Sequence, residues 1–240
     1  RSLVAVASAL VFLHDRRVAH LDIKPDNVLL DSGPPAGGGT VWLADLGLAV
    51  AATDAGGSEL PAGAIGRGSP AYMAPEMRGG GGAPPPSAQC VSGYWREAGA
   101  GAGGVQEPPL RLRADVYSFG VMAVEVLTLS RPISELSAEL TAAFGAGGSA
   151  QQQAALLAPL PASLRPVIKL SLSANAGQRP AMLTVFEQLA ALYEETVGRA
   201  FDAPSQTVPT PVPVSAPSAS PHGGGSGLSL SGLASVLPHA

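Results

Sequence analysis

Between positions 20 and 47 the chain sets out His20, Asp22, Lys24 and Asn27, and then Asp45 followed by Leu46 and Gly47. A carboxylate can orient a hydroxyl and accept its proton, an ammonium can meet an anionic group, and Asn and Asp oxygens are ligands that a hard cation such as magnesium takes. Short Asp and Asn patterns also occur as ordinary loop polars. Such residues acquire a chemical meaning only if the elements around them bring them together.

Those elements are legible. Leu3, Val6, Ala7, Leu10, Val11 and His14 fall at helical spacing on one face, which predicts an amphipathic core helix just before the polar set. Arg1 and the apolar run Leu3 to Leu13 resemble a signal peptide only superficially, and the run is too short to span a bilayer. Val28 to Leu30 and Val41 to Leu43 suit a small strand pair, with residues 33–39 as an enlarged hairpin loop. A helix is predicted from Asp115 to about Ser130, stopping before Pro132. Val116, Phe119, Val121, Met122 and Val124 make it apolar on every side, so it belongs in the middle of a domain. Another is predicted from Pro180, with Met182, Val185, Phe186, Leu189 and Tyr193 on one face and Gly198 as its stop. Residues 134–172 hold two weaker helical patterns, and helices dominate over strands.

The run His20-Leu21-Asp22-Ile23-Lys24-Pro25-Asp26-Asn27, with Val28-Leu29-Leu30 and Asp45-Leu46-Gly47 after it, resembles the catalytic and metal-binding loops of eukaryotic-type protein kinases. The chain has two lysines against twelve arginines, and one of the two stands where that family keeps its catalytic-loop lysine. The resemblance implies that Asp22 orients and deprotonates a substrate hydroxyl, that Lys24 contacts the transferring phosphate of ATP, and that Asn27 and Asp45 hold Mg2+. His20 is implied as a structural residue of the loop. Gly68-Ser69-Pro70-Ala71-Tyr72-Met73-Ala74-Pro75-Glu76 is similar to the end of the family's activation segment. Asp115 opens a run similar to the start of its central helix, whose aspartate braces the catalytic loop through the backbone. Arg179, in Gln178-Arg179-Pro180, stands where the family keeps an arginine paired with the glutamate at Glu76. Lys24 and Ser69 resemble the Ser/Thr-specific branch.

Departures are equally specific. Leu21 replaces an arginine that in many kinases receives a phosphorylated activation loop, so candidate phosphate acceptors at Thr53 and Ser58 would lack that partner. Leu46 replaces the usual phenylalanine, an apolar exchange that leaves Asp45 in place. Gly99, Gly101 and Gly104 satisfy a G-x-G-x-x-G pattern, but they sit in an Ala/Gly tract with no strand before or helix after, and carry no nucleotide-binding meaning. The glycine-rich loop, strand lysine and helix glutamate that grip ATP would have to precede Asp22, and none is present.

At 240 residues and 46% hydrophobic, the chain can bury a core of single-domain size. Its net charge of -4 gives no electrostatic reason to bind nucleic acid or an anionic membrane. The lone Cys90 cannot form an internal disulfide, which suits a reducing compartment and an intracellular, cytoplasmic expectation. The fold class expected is mainly α: a protein-kinase-like C-terminal lobe over 1–201, with a small β-hairpin carrying the catalytic and metal-binding loops and with the N-terminal lobe absent. Residues 79–109, with 14 Gly or Pro among 31, are expected as a flexible insertion. Residues 202–240 are expected as a disordered Pro/Ser/Gly-rich tail. The opening Arg1, entering a helix with no lead-in, reads as the start of a fragment.

The function expected is that of a Ser/Thr protein kinase acting on a protein hydroxyl with ATP and Mg2+, without nucleic acid and without a membrane segment in this fragment. The isolated chain is expected to be inactive. A small-molecule phosphotransferase of related fold and a non-enzymatic binding module are the alternatives. The Ala-Pro-Glu and Arg179 matches disfavour the first, and nucleotide binding by the fragment would discriminate the second.

Overall fold

Fourteen residues, Ser2–Asp15, form α1, which buries Val6, Ala7 and Leu10 of the face the apolar spacing marks out and also Val4 and Ser8, while Leu3, Val11 and His14 are part-buried. In this computed structural model the described residues are 1–31, 39–51, 66–78, 110–129, 132–198 and 201. Thr53, Ser58, the insertion 79–109, the tail after Phe201 and most of the hairpin loop 33–39 lie outside them.

Among the described residues the fold is mainly helical, with two small antiparallel ribbons. In one, β2 (Val28–Leu30) pairs with β3 (Val41–Leu43), Val28 opposite Leu43. In the other, which sequence patterning does not predict, β1 (Val18–Ala19) pairs with β4 (Val50–Ala51). Two-residue strands carry too little alternation to be read from sequence, and their pairing is a tertiary event. Together the ribbons tie the chain just before His20 to the chain just after Asp45, and Asn27 to the residues leading into Asp45.

The middle of the core is α2, Leu110–Thr128. Val116, Tyr117, Phe119, Val121, Met122, Ala123 and Val124 are all buried, so the all-round apolar pattern does mark a central helix. It starts five residues before the expected Asp115 and ends at Thr128. The alternating arginines Arg111 and Arg113 obscure the earlier start in sequence. Residues 133–171 hold three helices rather than the two expected: α3 (Ile133–Phe144), α4 (Ala150–Leu157) and α5 (Arg165–Ser171). The short α4 is delimited by a capping box, in which Ser149 accepts from Gln152 N and Gln152 Oε1 accepts from Ser149 N.

The last helix, α6 (Met182–Val197), begins after Pro180 rather than on it, because Ala181 is still extended. Its Met182, Val185 and Leu189 are buried, and it packs along α1. Gly198 ends it in the left-handed region at φ 70°, where its N–H reaches Glu194 O at 2.8 Å. Beyond it, Phe201 meets Phe186 and Tyr193 edge-on, with centroids 6.3 and 5.6 Å apart. No helix among the described residues is long and apolar enough to cross a membrane.

Candidate functional site

The segment from His20 to Asn27 has almost no repetitive structure, so its shape must come from partners elsewhere. Asp115, fully buried near the start of α2, supplies them. Its Oδ2 accepts from His20 N at 2.8 Å and its Oδ1 from Leu21 N at 2.7 Å. Outside a helix N-terminus, two consecutive N–H groups converge on one carboxylate where the backbone alternates hand and forms an anion-binding concavity. Leu21 accordingly sits at φ 66°, a conformation unfavourable for leucine that the buried carboxylate stabilises. His14, from the last turn of α1, donates Nε2–H to the same Oδ2 at 3.0 Å.

His20 carries the connection onward. Its Nε2 donates to Ala44 O at 3.0 Å and its Nδ1 accepts from Asp22 N at 3.3 Å, so these two partners select one tautomer of the neutral ring. The ring thereby links the residue before Asp45 to the backbone of Asp22. The β2–β3 register does the same for Asn27: Ala44 N donates to Asn27 O at 2.8 Å, which brings Asn27 and Asp45 to one end of the hairpin. Asp45 is exposed at φ 62°, with Gly47 N donating to its Oδ1 at 3.2 Å.

Asp22 is the hub of the polar set. Its Oδ1 accepts from Ser69 N at 3.0 Å and Ser69 Oγ at 2.9 Å. Its Oδ2 accepts from Lys24 Nζ at 2.8 Å and Asn27 Nδ2 at 3.1 Å, and Lys24 also donates to Ser69 Oγ at 2.8 Å. Burial pushes the Asp22 carboxyl up, but the hydrogen bonds from Lys24, Ser69 and Asn27 and the lysine charge outweigh it, and its pKa lies below the ordinary carboxylate value. The side chain is therefore ionised at neutral pH, a firm acceptor and a weak base. Asn27 Nδ2 also bonds Asp22 O at 2.7 Å, so the amide nitrogen is taken and Oδ1 is the atom left for a cation. Among the described residues no three His, Cys, Asp or Glu side chains gather as a metal site. The available hard donors are Asn27 and Asp45, a set that suits a cation completing its shell with phosphate oxygens and water.

Ser69 reaches Asp22 because Gly68 precedes it at φ 110°, a conformation that side-chain-bearing residues rarely adopt. A Cβ there would lie 2.9 Å from Leu21 O, a backbone atom that cannot turn aside. Gly68→Ala is expected to cost about 1–3 kcal/mol and to pull Ser69 off Asp22. Thermal unfolding checks the first and the loss of the Asp22 bonds, followed by side-chain NMR, checks the second.

Glu76 and Arg179 form a bidentate pair, Nη1 to Oε1 at 2.6 Å and Nη2 to Oε2 at 2.8 Å. The structure thus joins His20, Asp22, Lys24, Asn27, Ser69 and Asp115 in one network, sets Asp45 at the hairpin end beside Asn27, and keeps Glu76 and Arg179 as a separate clasp. Sequence reasoning missed His14, which it treated only as part of an apolar face, and Gly68, whose only signal is a glycine immediately before the serine. Leu29 and Trp42, partners across the hairpin, are 53% and 60% exposed, and Leu46 beside Asp45 is 54% exposed.

Comparison with known proteins matches residues 1–87 to the protein kinase domain family model. A serine/threonine-protein kinase-like protein of Arabidopsis thaliana is 33% identical over 132 residues, covering 53% of this chain and 27% of that one. Serine/threonine-protein kinase ULK3 of Homo sapiens is 46% identical over 72 residues, 30% of this chain and 14% of its own length. A protein kinase and PP2C-like domain-containing protein of Arabidopsis thaliana is 26% identical over 81% of this chain and 29% of its own length. The chain spans less than a third of the length of each of these relatives.

Proposed function

We propose that this chain is the C-terminal lobe of a Ser/Thr protein kinase, transferring the γ-phosphoryl group of ATP to a protein hydroxyl once a nucleotide-gripping lobe is joined to it. The observation that carries the reading is the Asp22 carboxylate held between Lys24, Asn27 and Ser69, with Asp45 at the same hairpin end as Asn27. The match of residues 1–87 to the protein kinase domain and the Ser/Thr kinase relatives support it. In this reading Asp22 orients the acceptor hydroxyl and takes its proton as the oxygen–phosphorus bond forms. All four acceptor positions of Asp22 are filled, so the incoming hydroxyl replaces one donor, and the Ser69 hydroxyl is the one free to rotate away. Lys24, already beside Asp22, meets the transferring phosphate, while Asn27 Oδ1 and Asp45 would hold magnesium. That ion would supply neutralisation of charge on the phosphate oxygens. The exposed Leu29 and Trp42, paired across the hairpin, and the exposed Leu46 next to Asp45 in the chain offer apolar surface suited to the nucleotide base and the second lobe.

The test is transfer of labelled phosphate from ATP to a peptide mixture containing Ser, Thr and Tyr. Joined to a nucleotide-binding N-terminal lobe, the chain is expected to label Ser and Thr. Alone it is expected to label nothing, because positioning of ATP is most of the catalysis. Failure of the joined protein to transfer, with ATP bound, would overturn the assignment.

A further inference from the structure

A second polar feature lies one residue beyond Ser69. Pro70, Ala71 and Arg78 form one side of an open depression of about 620 Å³, and α3 forms the other. Ser134, Ser137, Ala138 and Thr141 face it at helical spacing. The α3 carboxylates Glu135 and Glu139 do not line it.

Its donors are not all used. Arg78 gives Nε–H to Met73 O at 3.0 Å and one Nη1–H to Thr141 Oγ1 at 2.9 Å. Of five guanidinium N–H groups, these two are spent. Arg78 Nη2 is shielded from water and has no hydrogen-bond partner. Among the described residues no carboxylate lies within ion-pairing distance of Arg78, whereas the comparably placed Arg179 holds Glu76. The hydroxyls of Thr141 and Ser137 donate to Ser137 O and Ala71 O, so they hold the wall in place. Ser134 is exposed at the N-terminal turn of α3, where the cap residue Pro132 offers no side-chain bond. Arg78 and the N-terminal turn of α3 line the same depression, and a guanidinium and a helix N-terminus both favour a negative charge.

We infer that this depression is a subsite for an anionic side chain of the protein substrate, a carboxylate or a phosphorylated residue close in sequence to the acceptor hydroxyl, received by Arg78 with Ser134 at its rim. The inference rests on the proposed kinase reading for the word substrate. The anion site itself stands on the Arg78 geometry. An extended peptide advances roughly 3.3 Å per residue, so a chain whose hydroxyl replaces that of Ser69 at Asp22 brings a near neighbour alongside Pro70 and Ala71. The guanidinium, having no counter-ion among the described residues, discriminates an acid from its amide because only the acid supplies the missing charge and acceptors.

The experiment measures binding of short fluorescent peptides to the 240-residue chain itself, so no phosphate transfer is needed. The peptides carry a central Ser flanked by Glu, by Gln or by phosphoserine, and inorganic phosphate is added as a competitor. The Glu peptide is expected to bind about tenfold more tightly than its Gln twin. Arg78→Gln should bring the two within about twofold. The phosphoserine arm tells a carboxylate site from one that prefers phosphate: binding that is tighter than that of the Glu peptide and is competed by inorganic phosphate indicates the latter. Because Arg78 also holds Met73 and Thr141, a second variant, Ser134→Asp, adds a charge at an exposed rim position and should weaken the acidic peptides while leaving the Gln peptide unchanged. Equal affinity for the Glu and Gln peptides in the unaltered chain overturns the inference, as does an acid preference that survives both variants. Acid-selective binding together with failure of the lobe-joined protein to transfer phosphate would sink the kinase reading and leave the subsite standing as a docking site.

Discussion

Asp22→Asn, in the chain joined to a nucleotide-binding lobe, is expected to lower phosphate transfer by roughly two to four orders of magnitude with secondary structure and ATP affinity retained. The native carboxylate accepts from Ser69 N, Ser69 Oγ, Lys24 Nζ and Asn27 Nδ2. An amide keeps one oxygen and sets its NH2 against two of those donors, so the hub loses both a base and half its bonds. The same change has a pH signature. The folded-state pKa of Asp22 is lowered, so the carboxylate contributes stability that is fully present above its unfolded value of 3.8 and is lost as pH falls below that, through the folded value. Urea unfolding followed with pH should therefore show the native chain and Asp22→Asn converging in acid and separated at neutrality. Transfer by Asp22→Asn within about threefold of the native rate would remove Asp22 from the mechanism.

Arg179→Ala should be the most destabilising single change in the clasp, at about 3–5 kcal/mol. The Arg179 side chain is fully buried and Glu76 is 14% exposed, so truncation leaves a nearly buried carboxylate without its partner. It also removes the bonds to Ser173 O and Arg113 O, which Arg179 reaches at 2.9 Å each, and the cation lying 5.0 Å from the Tyr117 ring centroid. Arg179→Lys should fall between, because an ammonium cannot make the two-pronged contact with Oε1 and Oε2. Chemical unfolding of the three proteins gives the order, and a loss below about 1 kcal/mol in Arg179→Ala would show that the pair contributes no more than a surface contact.

What the amino-acid order by itself determined was local. The 3.6-residue spacing of α1 and α6, the apolar girth of α2 and the two short runs that became β2 and β3 are each written in neighbouring residues, and the polar set from His20 to Asn27 was identifiable by type and spacing. The α2 start, the division of residues 133–171 into three helices and the β1–β4 ribbon were not, because these depend on partners rather than on periodicity. Tertiary structure alone decided that Asp115 would close on His20 and Leu21 some 95 positions away, that Ser69 would reach Asp22 across 47, and that Arg179 would find Glu76 across 103. It also decided that Arg78 would meet no carboxylate among the described residues, which no pattern around that arginine foretells. The physical reason is one of energy scale. A helix or a hairpin is chosen by burial and hydrogen bonds among near neighbours, whereas a leucine held at φ 66° and a carboxylate filled by four donors persist only because a packed core fixes elements distant in sequence at the one separation that satisfies them.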